Sequence, residues 1–98
     1  MIRNVVVGRL LPDVPDEQVE AALQALRDLR VDGVELDLVA GRDLGLRVGN
    51  ASYTITVDLA DEAAYRAYDL DEEHNRIRRE LFAPISESIE RIQFRLPG

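Results

Sequence analysis

The feature of this sequence that most constrains its fold is the alternation of strand-like and helix-like segments. Residues 2–11, IRNVVVGRLL, have a β-branched centre and predict a strand. Residues 52–59, SYTITVDL, alternate polar and apolar side chains, as a half-buried strand does. Shorter apolar patterns predict two further strands, over 34–41 and 89–96. The chain therefore supplies four strands, and the segments between them have a different period.

The segments between the strands have helical patterns. From Val19 to Leu29, apolar residues recur at spacings of three and four, and Pro15 suits the first turn of a helix because its missing N–H costs nothing there. Two aspartates in the second half of the chain are suitable N-caps for two shorter helices. The expected helices run over about 16–30, from Asp61 to Tyr68, and from Asp71 to about Phe82.

The resulting order, β-α-β-β-α-α-β, predicts an α+β protein with a ferredoxin-like fold. In that fold the strands form one four-stranded antiparallel sheet, and the helices pack on one of its faces. No repeat, linker or low-complexity segment interrupts the pattern, so residues 1–98 are expected to form a single domain.

The predicted sheet has more apolar surface than its helices can cover. Residues 5–7 are three consecutive valines, so both faces of the first strand are apolar, and the second strand has Leu36 and Leu38 on one face and Val39 on the other. An uncovered apolar face is usually an interface, and most oligomers are symmetric homodimers. We therefore expect a homodimer formed through the sheet face. The alternative is a monomer with an unusually apolar sheet surface.

Composition excludes several classes of partner. The formal net charge is −7 and all 12 basic residues are arginines, so the surface repels nucleic acid and anionic lipid. No apolar run is long enough for a membrane helix, and residues 1–11 do not resemble an export signal. Cysteine is absent, which excludes disulfides and thiolate chemistry. The expected location is therefore the cytoplasm, with no nucleic-acid or membrane partner.

The only histidine in the chain, His74 in YDLDEEHNR, is the first candidate for chemistry. It precedes Ile77 by three residues, Leu81 by seven and Ile85 by eleven, so it belongs to the apolar stripe of the last helix and points inward. Tyr68 ends the preceding helix, and the two side chains can converge above the sheet. A neutral histidine can act as a general base near pH 7, and a tyrosine hydroxyl can polarise or protonate a carbonyl.

Neighbouring charged residues support simpler interpretations. Asp71, Glu72 and Glu73 beside His74 do not predict a metal site, because adjacent residues on a helix point in different directions. No metal and no cofactor are expected. An arginine cluster further along could attract an anionic substrate, but a solvated helix face with a Glu72–Arg76 pair explains it more simply. That cluster consists of Arg76, Arg78 and Arg79.

Four segments together resemble the stress-responsive A/B barrel domain family. They are MIRNVVVGRLLPDVPDEQVEAALQAL, VAGRDLGLRVGN, VDLADEAAYRAYDLDEEH and APISES, and they extend over nearly the whole chain. The resemblance implies a dimeric α+β barrel, in which two ferredoxin-like sheets face each other with the helices outside. Most members of the family have no assigned activity. A few close linear polyketides by an aldol reaction, without a cofactor, in a pocket between sheet and helices.

The resemblance also implies a set of site residues. The tyrosine and histidine used by the cyclases are six residues apart and correspond to Tyr68 and His74, which are the candidate catalytic residues. The cyclases' histidine on the first strand corresponds to Asn4, which can hydrogen-bond a carbonyl but cannot exchange protons near pH 7. A His-Pro pair of the family is Asp71-Glu72 in this chain. The candidate substrate-binding residues are Asn4, Tyr53, Ile55 and Tyr65.

Three functions are consistent with the sequence. The first is a protein that binds a hydrophobic small molecule between sheet and helices without catalysis. The second is an enzyme that closes a β-keto or polyketide compound by acid–base catalysis through Tyr68 and His74. The third is a stress-associated structural dimer whose interior is only a core. A cavity of a few hundred cubic ångströms bordered by both side chains would favour the first two, since ligand sites are concave and mostly apolar, whereas a filled interior would leave the third.

Overall fold

The computed structural model describes residues 1–98 and contains the predicted elements in the predicted order. Several boundaries differ by a few residues from those expected. The elements are β1 (Ile2–Leu10), α1 (Asp16–Arg27), β2 (Asp37–Arg42), β3 (Tyr53–Leu59), α2 (Glu62–Leu70), α3 (Glu72–Ile77) with a π turn (Arg78–Phe82) and a 3-10 turn (Ala83–Ile85), and β4 (Ser86–Arg95).

The four strands form one antiparallel sheet in the order β2-β3-β1-β4. This order, with the helices on one face, is the ferredoxin-like arrangement, so the predicted fold class is confirmed. The register places Asn4 at the centre of the sheet, opposite Val57 on β3 and Gln93 on β4. Strand β4 begins at Ser86, three residues earlier than predicted, because Ser86 pairs with Leu10 beyond a bulge at Glu87 in β4.

Two other predicted boundaries were wrong for local reasons. Helix α1 ends at Arg27 rather than near residue 30, because Leu29 turns back into the core and its N–H bonds to Leu26, only three residues earlier. Strand β2 begins at Asp37 rather than residue 34, because residues 31–34 form a small turn closed by a bridge between Val31 and Val34.

The core lies between the sheet and the helices. Helix α1 buries the apolar face that its spacing predicts, including Val19, Leu23 and Leu26. Strand β3 buries every second side chain, as its alternation predicts. Those four residues are Tyr53, Ile55, Val57 and Leu59.

The last helical segment departs from the predicted stripe at one position. The N–H of Ala83 bonds to the carbonyl of Arg78, five residues earlier, so one turn is a π turn. Pro84 explains this π turn, because a proline has no N–H to donate and its ring would clash with the carbonyl of Glu80 in a regular α-helix. The wider turn makes Phe82 the buried residue, whereas Leu81, predicted to be inward, is only half-buried.

The opposite face of the sheet has no helix over it. We call it the open face, and its apolar members are Val5, Val7, Val39, Ile92 and Phe94. Apart from the half-buried Val5, each of these has 38–64% of its surface exposed. The expectation of an apolar face on each side of the sheet is therefore met. None of the helices is both long and apolar enough to cross a membrane.

Candidate functional site

A pocket lies between the sheet and the helices at the end where α2 meets α3. The structure brings together in it all six side chains proposed from the sequence, and their roles stay predictions. Asn4 and Ile55 lie on the sheet below, while Tyr68 and His74 project from the helices above. The full lining is Asn4, Val6, Leu26, Tyr53, Ile55, Tyr65, Tyr68, Asp69, His74, Arg78, Phe82, Ile89 and Arg91.

The enclosed part of this pocket is small. The space in which the centre of a water molecule can move is about 40 Å³, which is enough for roughly three waters. This is far below the few hundred cubic ångströms that would favour a ligand pocket, so the enclosed space has no room for a long chain. The pocket opens to solvent at one side, beside Arg78 and Arg91.

Helix capping places the histidine next to the tyrosine. The carboxylate of Asp71 accepts a hydrogen bond of 3.0 Å from the backbone N–H of His74, so the predicted cap is confirmed and α3 begins immediately after α2 ends. The ring centroids of Tyr68 and His74 are 4.2 Å apart, with their planes tilted by 38°. The predicted inward direction of His74 is also confirmed, since only 9% of it is exposed.

The surroundings of His74 favour its neutral form. Burial is the main cause that lowers the pKa of the imidazole below its ordinary value of 6.5, and the charge of Arg78 lowers it further. Asp69 acts in the opposite direction, through its charge and its nearby carbonyl, but no imidazole nitrogen makes a hydrogen bond of normal geometry to it. Nδ1 is fully buried without any hydrogen-bond partner. His74 is therefore an uncharged base at neutral pH.

The tyrosine beside it is a protonated phenol. Burial, with a contribution from the neighbouring Tyr65, raises the pKa of Tyr68 to about 12, and Arg91 opposes this rise. The Tyr68 side chain is only 3% exposed. A neutral base and a neutral hydrogen-bond donor thus lie side by side in an apolar enclosure, which is the pairing that acid–base chemistry on a carbonyl compound requires.

The floor of the pocket contains a short chain of hydrogen bonds that the sequence did not predict. The amide of Gln93 donates to the Oδ1 of Asn4 at 2.7 Å and to the hydroxyl of Tyr65 at 3.3 Å. The Asn4 amide nitrogen is thereby left as a donor toward a ligand. Only the pairing of β1 with β4 brings Gln93 opposite Asn4. The alternation in IERIQFRL predicts on which face of the sheet Gln93 lies, but it does not predict that Asn4 is its neighbour.

Tyr53 is held in place more firmly than the other site residues. Its hydroxyl lies 2.8 Å from the Oγ of Ser86, its ring packs against Phe82 at a centroid distance of 5.4 Å, and it lies directly over Gly8. Burial raises the pKa of Tyr53, while the hydrogen bond to Ser86 lowers it. Tyr53 is therefore a fixed wall of the pocket, and its hydroxyl is already engaged.

The mouth of the pocket has two arginines, of which the sequence analysis considered one. Arg78 donates a hydrogen bond of 2.9 Å to the Oδ1 of Asn75, and neither Arg78 nor Arg91 lies within salt-bridge distance of a carboxylate. The predicted Glu72–Arg76 pair was wrong.

Arg76 instead pairs with acids on either side of it. These are Glu73 in the preceding turn and Glu80 in the following one, because the Arg76 side chain lies between them on the solvent face of the helix. Nowhere in the structure do three or more histidine, aspartate or glutamate side chains converge as metal ligands.

Known structures share this fold over nearly the whole chain. A dimeric ferredoxin-like protein of unknown function from Thermobifida fusca YX is 30% identical, with a TM-score of 0.87 over 97% of this chain and 90% of the other. A Dabb family protein with a ferredoxin-like fold from Mesorhizobium loti MAFF303099 is 23% identical, with a TM-score of 0.75 over 99% and 97%. These likenesses support the resemblance to the stress-responsive A/B barrel, or Dabb, family.

An enzyme is also among the structures that share this fold. A hydroxynitrile lyase from Passiflora edulis is 16% identical, with a TM-score of 0.79 over 95% of this chain and 90% of the other. At that identity the likeness concerns the fold alone. No family model matches the sequence, and a search of curated proteins also gives no match.

Proposed function

We propose that this protein binds a small carbonyl compound in the sheet–helix pocket and that His74 and Tyr68 catalyse proton transfer on it. The observation that carries the proposal is the close packing of the His74 ring against Tyr68 in an apolar pocket, with the buried Nδ1 of His74 left without a hydrogen-bond partner. Leaving such an atom unpaired costs about 1–3 kcal/mol, and in native proteins this cost is usually associated with function.

The chemistry follows from the protonation states. The neutral imidazole of His74 takes a proton from the carbon next to the carbonyl, and the Tyr68 hydroxyl donates a hydrogen bond to the carbonyl oxygen, where negative charge develops. The enolate then attacks a second carbonyl carbon, forming a C–C bond. The oxygen of that carbonyl takes the proton from the imidazolium, which restores the neutral base.

The size of the cavity restricts the substrate. The resemblance implies cyclisation of a polyketide, but about 40 Å³ of enclosed space holds only a few non-hydrogen atoms. The apolar walls, which include Val6, Ile55 and Phe82, favour a hydrophobic or compact group. The proposed reaction is therefore proton abstraction and aldol-type bond formation on a short β-keto compound, with any longer part of the molecule outside the cavity.

Deuterium exchange tests this function without requiring the complete reaction. Uptake of deuterium from D₂O at the α-carbon of a short β-keto ester is followed for the wild type, His74→Gln, Tyr68→Phe and the control Glu72→Gln, whose side chain is exposed outside the pocket. We expect the first two variants to lose about 10²–10⁴-fold in rate and the control to retain it. Equal exchange by all four proteins would contradict the acid–base roles.

A second candidate function is that of a non-catalytic dimer. The open face supports the formation of a dimer. We propose that a second copy of the chain covers this face, with or without catalysis in the pocket. Two observations support this: Ile92 and Val39 are more than 60% exposed on the open face, and the Thermobifida protein with 30% identity is described as dimeric. Native mass spectrometry tests it. A single monomeric species at micromolar concentration would contradict it.

A further inference from the structure

We propose that the substrate is a short oxo carboxylate, whose carbonyl lies against Tyr68 and His74 and whose carboxylate binds the guanidinium groups of Arg78 and Arg91. This inference rests on the proposed function of the same pocket. It adds the charge of the substrate, its approximate length and two binding residues on separate elements, the π turn and β4.

The first step of the argument is the position of the two arginines. Both line the pocket, and both are exposed at its mouth. Arg78 is the first residue of the π turn that also directs Phe82 into the pocket, and such turns often occur at functional sites. Arg91 lies on the helix side of β4, opposite Val6, where no helix covers the strand. Their positions are therefore set by regular elements rather than by a loop.

The second step is that these charges are not neutralised by the protein. Of the 12 arginines in the chain, five form a salt bridge and seven, including Arg78 and Arg91, do not. Arg3, Arg27, Arg42, Arg76 and Arg95 all make salt bridges, whereas Arg78 and Arg91 make none. Asp69, which also lines the pocket, is not paired with either of them.

The third step is the electrostatic effect inside the pocket. Among the charged neighbours, Asp69 raises the pKa of the His74 imidazole and Arg78 lowers it, while Arg91 lowers the pKa of the Tyr68 phenol. The positive charges at the mouth therefore reach the atoms proposed to react. They favour an anionic ligand and an enolate that forms next to it. Arginine is also well suited to carboxylates, since its planar donors bind both oxygens together.

The fourth step is the length of the ligand. The cavity accepts a carbonyl and its adjacent carbon, so the remainder of any ligand must lie at the mouth. A neutral alkyl group there would face water and two cations. A carboxylate one or two carbons from the carbonyl would instead contact Arg78 and Arg91. The geometry thus selects 2-oxo and 3-oxo acids over their neutral esters.

Binding is measured separately from turnover so that the two proposals can fail independently. Pyruvate and acetoacetate, and their methyl esters, are titrated at constant pH into the full-length protein, and the imidazole resonances of His74 are followed by NMR. We expect the acids to bind at least about ten-fold more tightly than the esters, and Arg78→Gln and Arg91→Gln each to weaken the acids about ten-fold. Arg79→Gln, an exposed neighbour outside the pocket, serves as the matched control.

A bound carboxylate has a second signature. Its negative charge should raise the pKa of His74 in a titration of the complex, and this rise should disappear in Arg91→Gln. Equal binding of acids and esters, undiminished binding in both arginine variants, or no binding of either acid would overturn the inference. If the protein nevertheless catalysed deuterium exchange on neutral esters, the proposed function would still be supported. Tight binding of acids with no effect of His74→Gln on exchange would contradict the catalytic role instead.

Discussion

His74 is the only histidine in the chain, and its titration can therefore be observed without interference. Because burial lowers its pKa in the folded state, the unfolded chain binds a proton at a higher pH than the folded protein does. The free energy of unfolding should consequently rise with pH up to about 6.5, the ordinary value, and fall as the solution is acidified below it. Urea denaturation at several pH values between 5 and 7.5 measures this dependence.

The His74→Gln variant isolates that contribution. Glutamine is polar and of similar size but does not titrate, so the variant should lose less stability than the wild type between pH 7 and 5. Asp58, whose pKa is lowered by its hydrogen bonds to Arg3, contributes to the slope only at more acidic pH. Identical slopes for the two proteins would mean that folding does not change the pKa of His74, which would contradict the proposed shift.

For individual residues, the sequence predicted where side chains lie better than it predicted their pKa values. The apolar stripe predicted the inward direction of His74, and Asp71 was correctly expected to cap its helix. The direction of its pKa shift could not be predicted, because it depends on burial and on the distances to Asp69 and Arg78, which only packing determines. Gln93 was missed for the same reason, since strand register brings it to Asn4.

At the scale of elements, Gly8 links the register of two strands to the shape of the pocket. It lies opposite Tyr53, and a Cβ at this position would collide with the ring and hydroxyl of that tyrosine. We expect Gly8→Ala to destabilise the protein by about 1–3 kcal/mol, as overpacking in a core does. It should also move the Tyr53 hydroxyl away from Ser86. Chemical denaturation and the tyrosine spectrum of the folded protein measure the two effects.

Gly41 provides the matched control for this substitution. It also lies within a strand, but nothing is within 4 Å of the position that its Cβ would occupy. Gly41→Ala should therefore change stability by less than about 0.5 kcal/mol. If both variants lost the same stability, the cost would come from strand glycines in general, and the contact between Gly8 and Tyr53 would not be the cause.

The elements themselves could largely be predicted from periodicity, and the exceptions have physical explanations. The alternation in β3 and the stripe in α1 produce the buried faces that they predict. The π turn was not predicted, because a stripe with a period of 3.6 assumes an unbroken α-helix. Pro84 was the available signal, and its effect was to move the inward position from Leu81 to Phe82.

For the whole molecule, apolar surface on both faces of the sheet indicated that the helices would leave one face open. That surface was visible in the sequence because strand side chains alternate strictly between faces. The pairing of the charged residues on this face was not visible in the sequence. Arg3 and Asp58 form a two-pronged ion pair on the open face, with bonds of 2.7 and 2.9 Å, so a partner must accommodate a neutralised polar pair among the valines.

The proposed dimer makes a specific prediction about two exposed apolar residues. Ile92, 62% exposed, lies on the open face, whereas Leu70, 76% exposed, ends α2 away from it. Ile92→Glu would bury a carboxylate in each half of a symmetric interface, so we expect the dimer dissociation constant to rise at least about 30-fold. Leu70→Glu should leave it unchanged. Light scattering over a dilution series measures both, and equal weakening would show that this face is not the interface.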